Sequence, residues 1–156
     1  YAKVEEKDTI VETIVTAGYE KTAHRAGTGY CYEERDGAFI TPGTINILVF
    51  TNKALTDSAM VKAMMTITEA KTAALQDWGA ESVKLYPFMN EDIPDALTKE
   101  RNTTATGTST DGVVLTIDTN GDVLTDAGTF SLFGDTLAKA VYVGVQRALE
   151  NAIGAE

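Results

Sequence analysis

The run Thr44-Ile45-Asn46-Ile47-Leu48-Val49-Phe50-Thr51, followed after four residues by Thr56–Trp78, constrains this chain more than any other feature. The first part is nearly continuous in apolar residues, which predicts a strand buried on both faces. In the second, Met60, Ala63, Met64, Ile67, Ala70, Ala74 and Trp78 recur at three- and four-residue steps, the period of an amphipathic helix. Thr56 or Asp57 can accept from the first free N–H groups of that helix, and Gly79 suits its left-handed stop. A strand feeding directly into a long one-faced helix commits the chain to a sheet with helical cover.

The remaining segments fit that frame. Ile10–Gly18 is rich in β-branched residues and reads as a strand. Gly27–Gly43 is glycine-rich and aromatic, with Glu33-Glu34-Arg35-Asp36-Gly37 as a charged hairpin tip. Val83–Tyr86 reads as a short strand, and Pro87–Thr104 as a long loop or lid. Val113–Ile117 is a strand that Asn120-Gly121 should turn back into Val123-Leu124. A second helix lies within Leu132–Ile153, with Leu137, Val141, Val145, Ala148 and Ile153 on one stripe and Gly154 as its stop. Gly144 inside it predicts close packing against another element. The expected fold is α+β: one domain over residues 1–156, a single mixed β-sheet packed by two long helices.

Composition excludes several functions. A formal net charge of -10 leaves no basic cluster to neutralise a nucleic-acid backbone. No apolar run approaches the roughly 18–20 residues needed to span a bilayer, so no membrane partner is expected. One cysteine, Cys31, excludes an internal disulfide. The first residue is Tyr1 rather than Met, as in a chain processed, trimmed or cut from a longer one.

Polar residues at the margins of regular elements are the site candidates. Asn46 is an amide inside an apolar strand, where its hydrogen bonds must be met by a neighbour or by a ligand's amide. Glu69 lies mid-helix among Thr66, Thr72 and Ala73, and partial burial there would suit it to general-base work. Lys71, two residues on, points elsewhere and offers Glu69 no pairing. Residues 103–111 hold five threonines, Ser109 and Asp111 around Gly107. Gly107 permits a positive φ, and Thr106, Gly107, Thr108, Ser109 and Thr110 can present hydroxyls and N–H groups to a carboxamide or oxyanion. His24, the one histidine, is a further catalytic candidate, alone or with Cys31. Asp118, Asn120 and Asp122 have the D-x-N-x-D spacing of a calcium loop. Val123 stands where that loop needs glycine, and no glutamate closes it. No cofactor is otherwise implied, and Ca2+ is the one metal expectation.

Five blocks occur in an order and at spacings that resemble the adenosylcobinamide amidohydrolase family. They are Thr16-Ala17-Gly18, Ala23 to Gly27, Gly43-Thr44-Ile45-Asn46-Ile47, Thr68-Glu69-Ala70-Lys71-Thr72-Ala73-Ala74-Leu75, and Ala105 to Val114. Ala127-Gly128-Thr129 and Ala140-Val141-Tyr142 extend the likeness, which runs from about Val11 to Leu149. The resemblance implies a cytoplasmic hydrolase whose partner is a corrinoid. It would cleave the amide joining the aminopropanol arm to the corrin ring of adenosylcobinamide, giving adenosylcobyric acid for cobamide salvage. Water activated by Asp111 or Glu69 would attack, with Asn46 and the Thr106–Thr110 loop holding the carboxamide. The resemblance also implies a further N-terminal portion absent here, and Phe130 stands where the family often has a histidine. The alternative is a non-catalytic, secreted or extracellular module. It would reuse the fold and form homo-oligomers by strand addition at an open sheet edge.

Overall fold

A computed structural model describes residues 1–19, 22–27, 44–82 and 104–153. The hairpin tip at 33–37, Cys31, Gly43, the strand expected over 83–86 and nearly all of the expected lid lie outside these residues. Among the described residues the main sheet has four strands in the order β1 (Ala2–Glu6), β2 (Thr9–Ala17), β4 (Ile45–Thr51) and β7 (Gly112–Ile117). β1, β2 and β4 pair antiparallel in turn, while β4 and β7 run parallel, as the helical crossover between them requires. Two small ladders flank the sheet: β3 (Ala23–His24) with β6 (Gly107–Thr108), and β5 (Ala54–Leu55) with β8 (Val123–Leu124).

Helix α1 spans Asp57–Trp78, with the Thr56 hydroxyl accepting from the Ala59 N–H and Gly79 closing it at φ 72°. Helix α2 spans Leu132–Ile153. α1 and α2 pack on one another, and α2 lies across β1 and β2. Gly144 is required there: a Cβ would stand 2.5 Å from Thr13 Oγ1 and 3.0 Å from Val15 Cγ2. Thr13 also donates to the Ala140 carbonyl at 3.0 Å, so the β2–α2 contact has a polar pin. The core is the α-facing side of the sheet, Val11, Ile45, Ile47 and Val49, against Ala63, Ile67, Ala74, Leu137, Val141 and Val145. The architecture is the expected α+β, a mixed sheet carrying two long helices.

Three expectations change. Residues 2–6, for which no element was expected, form β1, antiparallel beside β2. β4 is buried on one face only: Ile45, Ile47, Val49 and Thr51 are covered, whereas Phe50 is 38% exposed and Asn46 and Leu48 are half-buried. Both described helices lie on the same side, so neither covers the second set of apolar residues. The Asn120-Gly121 hairpin does not form, and β8 pairs in parallel with β5 instead. A two-residue turn of that type needs positive φ at both positions, and neither residue has it. Asp118 takes the turn over: its side chain accepts from the Asn120 N–H at 2.9 Å and its carbonyl from the Gly121 N–H at 3.0 Å. Gly121 is needed because a Cβ would lie 2.3 Å from the Asn52 carbonyl oxygen.

Candidate active site

The segment from Thr104 to Asp111 is tied down at almost every residue. The Ala105 N–H donates to the Ala80 carbonyl at 2.7 Å, and the Thr106 N–H to the His24 carbonyl at 2.9 Å. The Thr106 hydroxyl accepts from the Ala26 N–H at 3.0 Å, and its carbonyl accepts from the Thr72 hydroxyl at 3.2 Å. The Thr110 carbonyl accepts from the Thr44 hydroxyl at 2.5 Å, which locks the loop to the head of β4. Ser109 and Thr110 form the turn that leads into Asp111.

Asp111 is what this scaffold holds. Its Oδ1 accepts from both the N–H and the hydroxyl of Thr108, at 3.1 and 2.5 Å. Its Oδ2 is ion-paired with the Lys71 ammonium. The Lys71 and Asp111 side chains are only 10% and 15% exposed. Gly107 is forced by this pair rather than by a positive φ, since a Cβ would sit 2.5 Å from Asp111 Oδ2 and 2.8 Å from Lys71 Nζ. A carboxylate has about four acceptor positions, so three donors leave it room for a water or a substrate N–H. The arrangement is a fixed carboxylate beside a fixed positive charge at a half-buried edge, which can orient a nucleophile and stabilise an oxyanion.

Lys71 is the residue that sequence reasoning set aside. It shares a helix with Glu69 but projects about 200° away from it, as two residues of a 3.6-residue turn must. Glu69 is exposed and lines a cavity of about 370 Å3 between the helices with Ala73, Thr129 and Tyr142. It and Asp111 are therefore not brought together. His24 pairs with Gly107 across the β3–β6 ladder, which places it next to the loop; its Nδ1 lies 3.4 Å from the Thr22 carbonyl. Asn46 is level with Gly112 across β4–β7 and faces away from α1, on the opposite side of the sheet from the core. Its Nδ2 donates to the Thr16 hydroxyl at 3.3 Å, and its Oδ1 leans over Gly112, where a Cβ would come within 2.7 Å. Of the loop threonines, Thr106 and Thr108 spend hydroxyl bonds on structure, and Thr106 retains a proton to donate.

The turn that resembles a calcium loop in its spacing carries a cation of its own. Asp118 is committed to its own turn, and Asp122 Oδ2 lies 3.0 Å from Lys53 Nζ, a cation where a second cation would have to bind. Among the described residues, no group of three or more His, Cys, Asp or Glu could hold a metal. Lys53 also meets Asp8 Oδ2 at 2.5 Å, at the far end of the sheet beside a second cavity of about 370 Å3.

The profile of the adenosylcobinamide amidohydrolase family matches residues 1–86 and 88–156, which includes every residue of this loop and of α1. The chain belongs to that family. An uncharacterized protein of Methanocaldococcus jannaschii is 34% identical to it over 160 residues, covering 95% of this chain and 56% of that protein. An adenosylcobinamide amidohydrolase of Methanosarcina mazei is 30% identical over 134 residues, covering 80% of this chain and 54% of its own length. The chain spans about half the length of the curated relatives it matches. No solved structure matches it. No described helix is long and apolar enough to cross a membrane.

Proposed function

We propose that the chain carries the hydrolytic site for the amide between the corrin ring and the aminopropanol arm of adenosylcobinamide or a related corrinoid. The observation that carries this reading is Asp111, gripped on both oxygens inside a segment that the family profile spans. Asp111 accepts a proton from a water as that water attacks the amide carbon. The Lys71 charge stabilises the oxyanion that forms, the C–N bond breaks, and the amine leaves with a proton. The products are adenosylcobyric acid and the free aminopropanol arm. Thr106, on the same loop, has a hydroxyl proton to give the carbonyl or the departing nitrogen. His24, level with Gly107 across the β3–β6 ladder, would serve the same group.

The test is conversion of adenosylcobinamide to adenosylcobyric acid by purified protein, followed by chromatography. Asp111→Asn keeps the shape of the side chain and removes its charge. It should lower kcat by about 100-fold or more, in the range found when one electrostatic partner of an acyl-transfer centre is lost. Unchanged turnover in Asp111→Asn would remove Asp111 from the reaction, and absence of conversion by the wild-type chain would remove the activity from it.

A further inference from the structure

The two oxygens of Asp111 are not equivalent. Among the described residues, Oδ1 accepts two hydrogen bonds, from the N–H and the hydroxyl of Thr108 at 3.1 and 2.5 Å. Oδ2 accepts one, from the Lys71 ammonium. Each carboxylate oxygen has two acceptor positions, so Oδ1 is filled and the open position belongs to Oδ2. The backbone half of the grip on Oδ1 comes from the turn itself, since residue 111 reaches back only three positions to residue 108. The hydroxyl half depends on the residue type. Thr108 is buried in β6, level with Ala23 across the ladder, and a β-branched side chain is stiff about χ1. Its hydroxyl has a single proton, and that proton is committed to Oδ1. Thr108 therefore has none to give a substrate.

We infer that Thr108 is a positioning residue for the hydrolysis: by filling Oδ1 it directs the proton of the attacking water to Oδ2, on the Lys71 side. This rests on the function proposed above and specifies how its base is aimed. Lys71 has three N–H donors and gives one of them to Oδ2, which leaves two for the oxyanion. Proton acceptor and oxyanion donor then stand on one side of the carboxylate. A water bonded to Oδ2 can attack a carbonyl whose oxygen is held at the ammonium. Its oxygen bonds to the carbonyl carbon as its proton passes to Oδ2, the C–N bond breaks, and the proton leaves on the amine nitrogen. Without the Thr108 hydroxyl, Oδ1 regains an acceptor position, and a water bound there lies away from Lys71. Misplacing the attacking group lowers the rate far more than it lowers binding. Turnover rather than affinity should therefore register the loss.

Steady-state conversion of adenosylcobinamide by Thr108→Ser, Thr108→Cys and Thr108→Val tests this, because donor strength and shape rank the three variants in opposite orders. An aiming hydroxyl makes kcat follow donor strength. Thr108→Ser should stay within about threefold of wild type, Thr108→Cys should fall lower because a thiol donates weakly, and Thr108→Val should lose about tenfold or more. KM should move by less than about twofold throughout, since the binding contacts are untouched. A role in packing alone reverses the order, because valine keeps the shape of threonine while serine and cysteine leave its methyl site empty. That reversed order would overturn the inference. Serine and cysteine have the same branching, so their difference decides the matter even where Thr108→Val fails to fold. In Asp111→Asn no carboxylate is left to aim, and adding Thr108→Val should lower the residual turnover by less than about twofold. The full loss reappearing there would equally overturn the inference. Turnover that is sensitive to Asp111→Asn and indifferent to the whole Thr108 series would overturn the aiming and leave the hydrolytic site standing. A wild-type chain that converts no adenosylcobinamide would overturn both.

Discussion

Two lysines are buried at opposite ends of the parallel β4–β7 pair, and they are used differently. Lys53 is 4% exposed and Lys71 is 8% exposed. Their separation along the sheet is on the order of 20 Å at about 3.3 Å per strand residue. Lys53 reaches out to Asp8 and Asp122, whose side chains are 69% and 78% exposed. It clasps two surface turns, one from the β1–β2 connection and one after β7, and both acids keep most of their water. Lys71 instead holds Asp111, a carboxylate that is 15% exposed and supported on its other oxygen by Thr108. Burial of a lysine thus says little about function. What decides is whether its acid has been withdrawn from water and still has an acceptor position directed at a substrate.

The largest expected effect follows from that asymmetry. Lys71→Met leaves Asp111 without its counter-charge in a site that has little water, and breaking a buried pair in this way costs about 3–5 kcal/mol. Urea unfolding should register that loss together with loss of corrinoid hydrolysis, and Lys71→Met/Asp111→Leu should recover much of the stability and none of the activity. Lys53→Met should cost clearly less, since Asp8 and Asp122 fall back on solvent. Equal losses in the two single variants would break the comparison.

Next in size is Gly107→Ala. The added methyl would lie 2.5 Å from Asp111 Oδ2 and 2.8 Å from Lys71 Nζ, so the pair must separate or the β6 backbone must shift. Overpacking of this kind costs about 1–3 kcal/mol. Turnover should fall further than stability does, because the geometry of Asp111 is what the methyl disturbs. A Gly107→Ala protein with wild-type kcat would detach the glycine from the site.

At the other end, the clasp should show itself through pH. The hydrogen bond from Lys53 holds the Asp8 carboxyl below its ordinary 3.8, with the Lys53 charge assisting. The same bond to Asp8, and then that to Asp122, raises Lys53 above its ordinary 10.5 against the opposing effect of burial. A depressed acid contributes stability above its unfolded value and loses it as pH falls through the folded one. A raised base contributes fully below its unfolded value and loses it as pH climbs through the folded one. The difference in urea midpoint between wild type and Lys53→Met should therefore be level from about pH 5 to 9. It should shrink below about pH 4 and again above about pH 10.5. A difference unchanged at pH 3 would mean that Asp8 does not feel Lys53.

The parts of this molecule that could be read from sequence are those set by neighbours along the chain. Thr56, the α1 stripe and Gly79 announce a helix with its own start and stop, and the helix is there. Gly144 announced a close approach and has one. Lys71 could not be read in this way. Helical periodicity assigns it a face, but its partner lies 40 residues on, in a loop whose position depends on bonds to Ala80, His24, Thr72 and Thr44. Gly107 invited the right attention for the wrong reason, since spatial crowding rather than φ demands it. The apolar run of β4 was similarly ambiguous: continuous apolar residues suit two covered faces, but both described helices pack on the face that carries Ile45, Ile47 and Val49. The Asn120-Gly121 hairpin failed because Asp118 takes both N–H groups of the turn and the following residues pair with β5 instead.

The smallest effect concerns the turn that presents Asp8 to Lys53. Glu6 pairs with Thr9 across the β1–β2 ladder, so Lys7 and Asp8 are the two turn residues, and Lys7 sits at φ 56°. That left-handed conformation costs a residue with a Cβ about 1–2 kcal/mol, and glycine avoids most of the cost. Glycine also gives the unfolded chain more freedom, which offsets part of the gain. Lys7→Gly should therefore stabilise the protein by about 0.5–1 kcal/mol in urea unfolding. Because the turn geometry is retained, Asp8 stays at Lys53, and the acid limb of the pH profile should be preserved. Stabilisation without that limb would mean that the relaxed turn had carried Asp8 away, and the clasp would then depend on strain at Lys7. Hydrolysis at Asp111, at the opposite end of the sheet, should not respond to Lys7→Gly, and a change there would couple two lysine sites that the fold keeps apart.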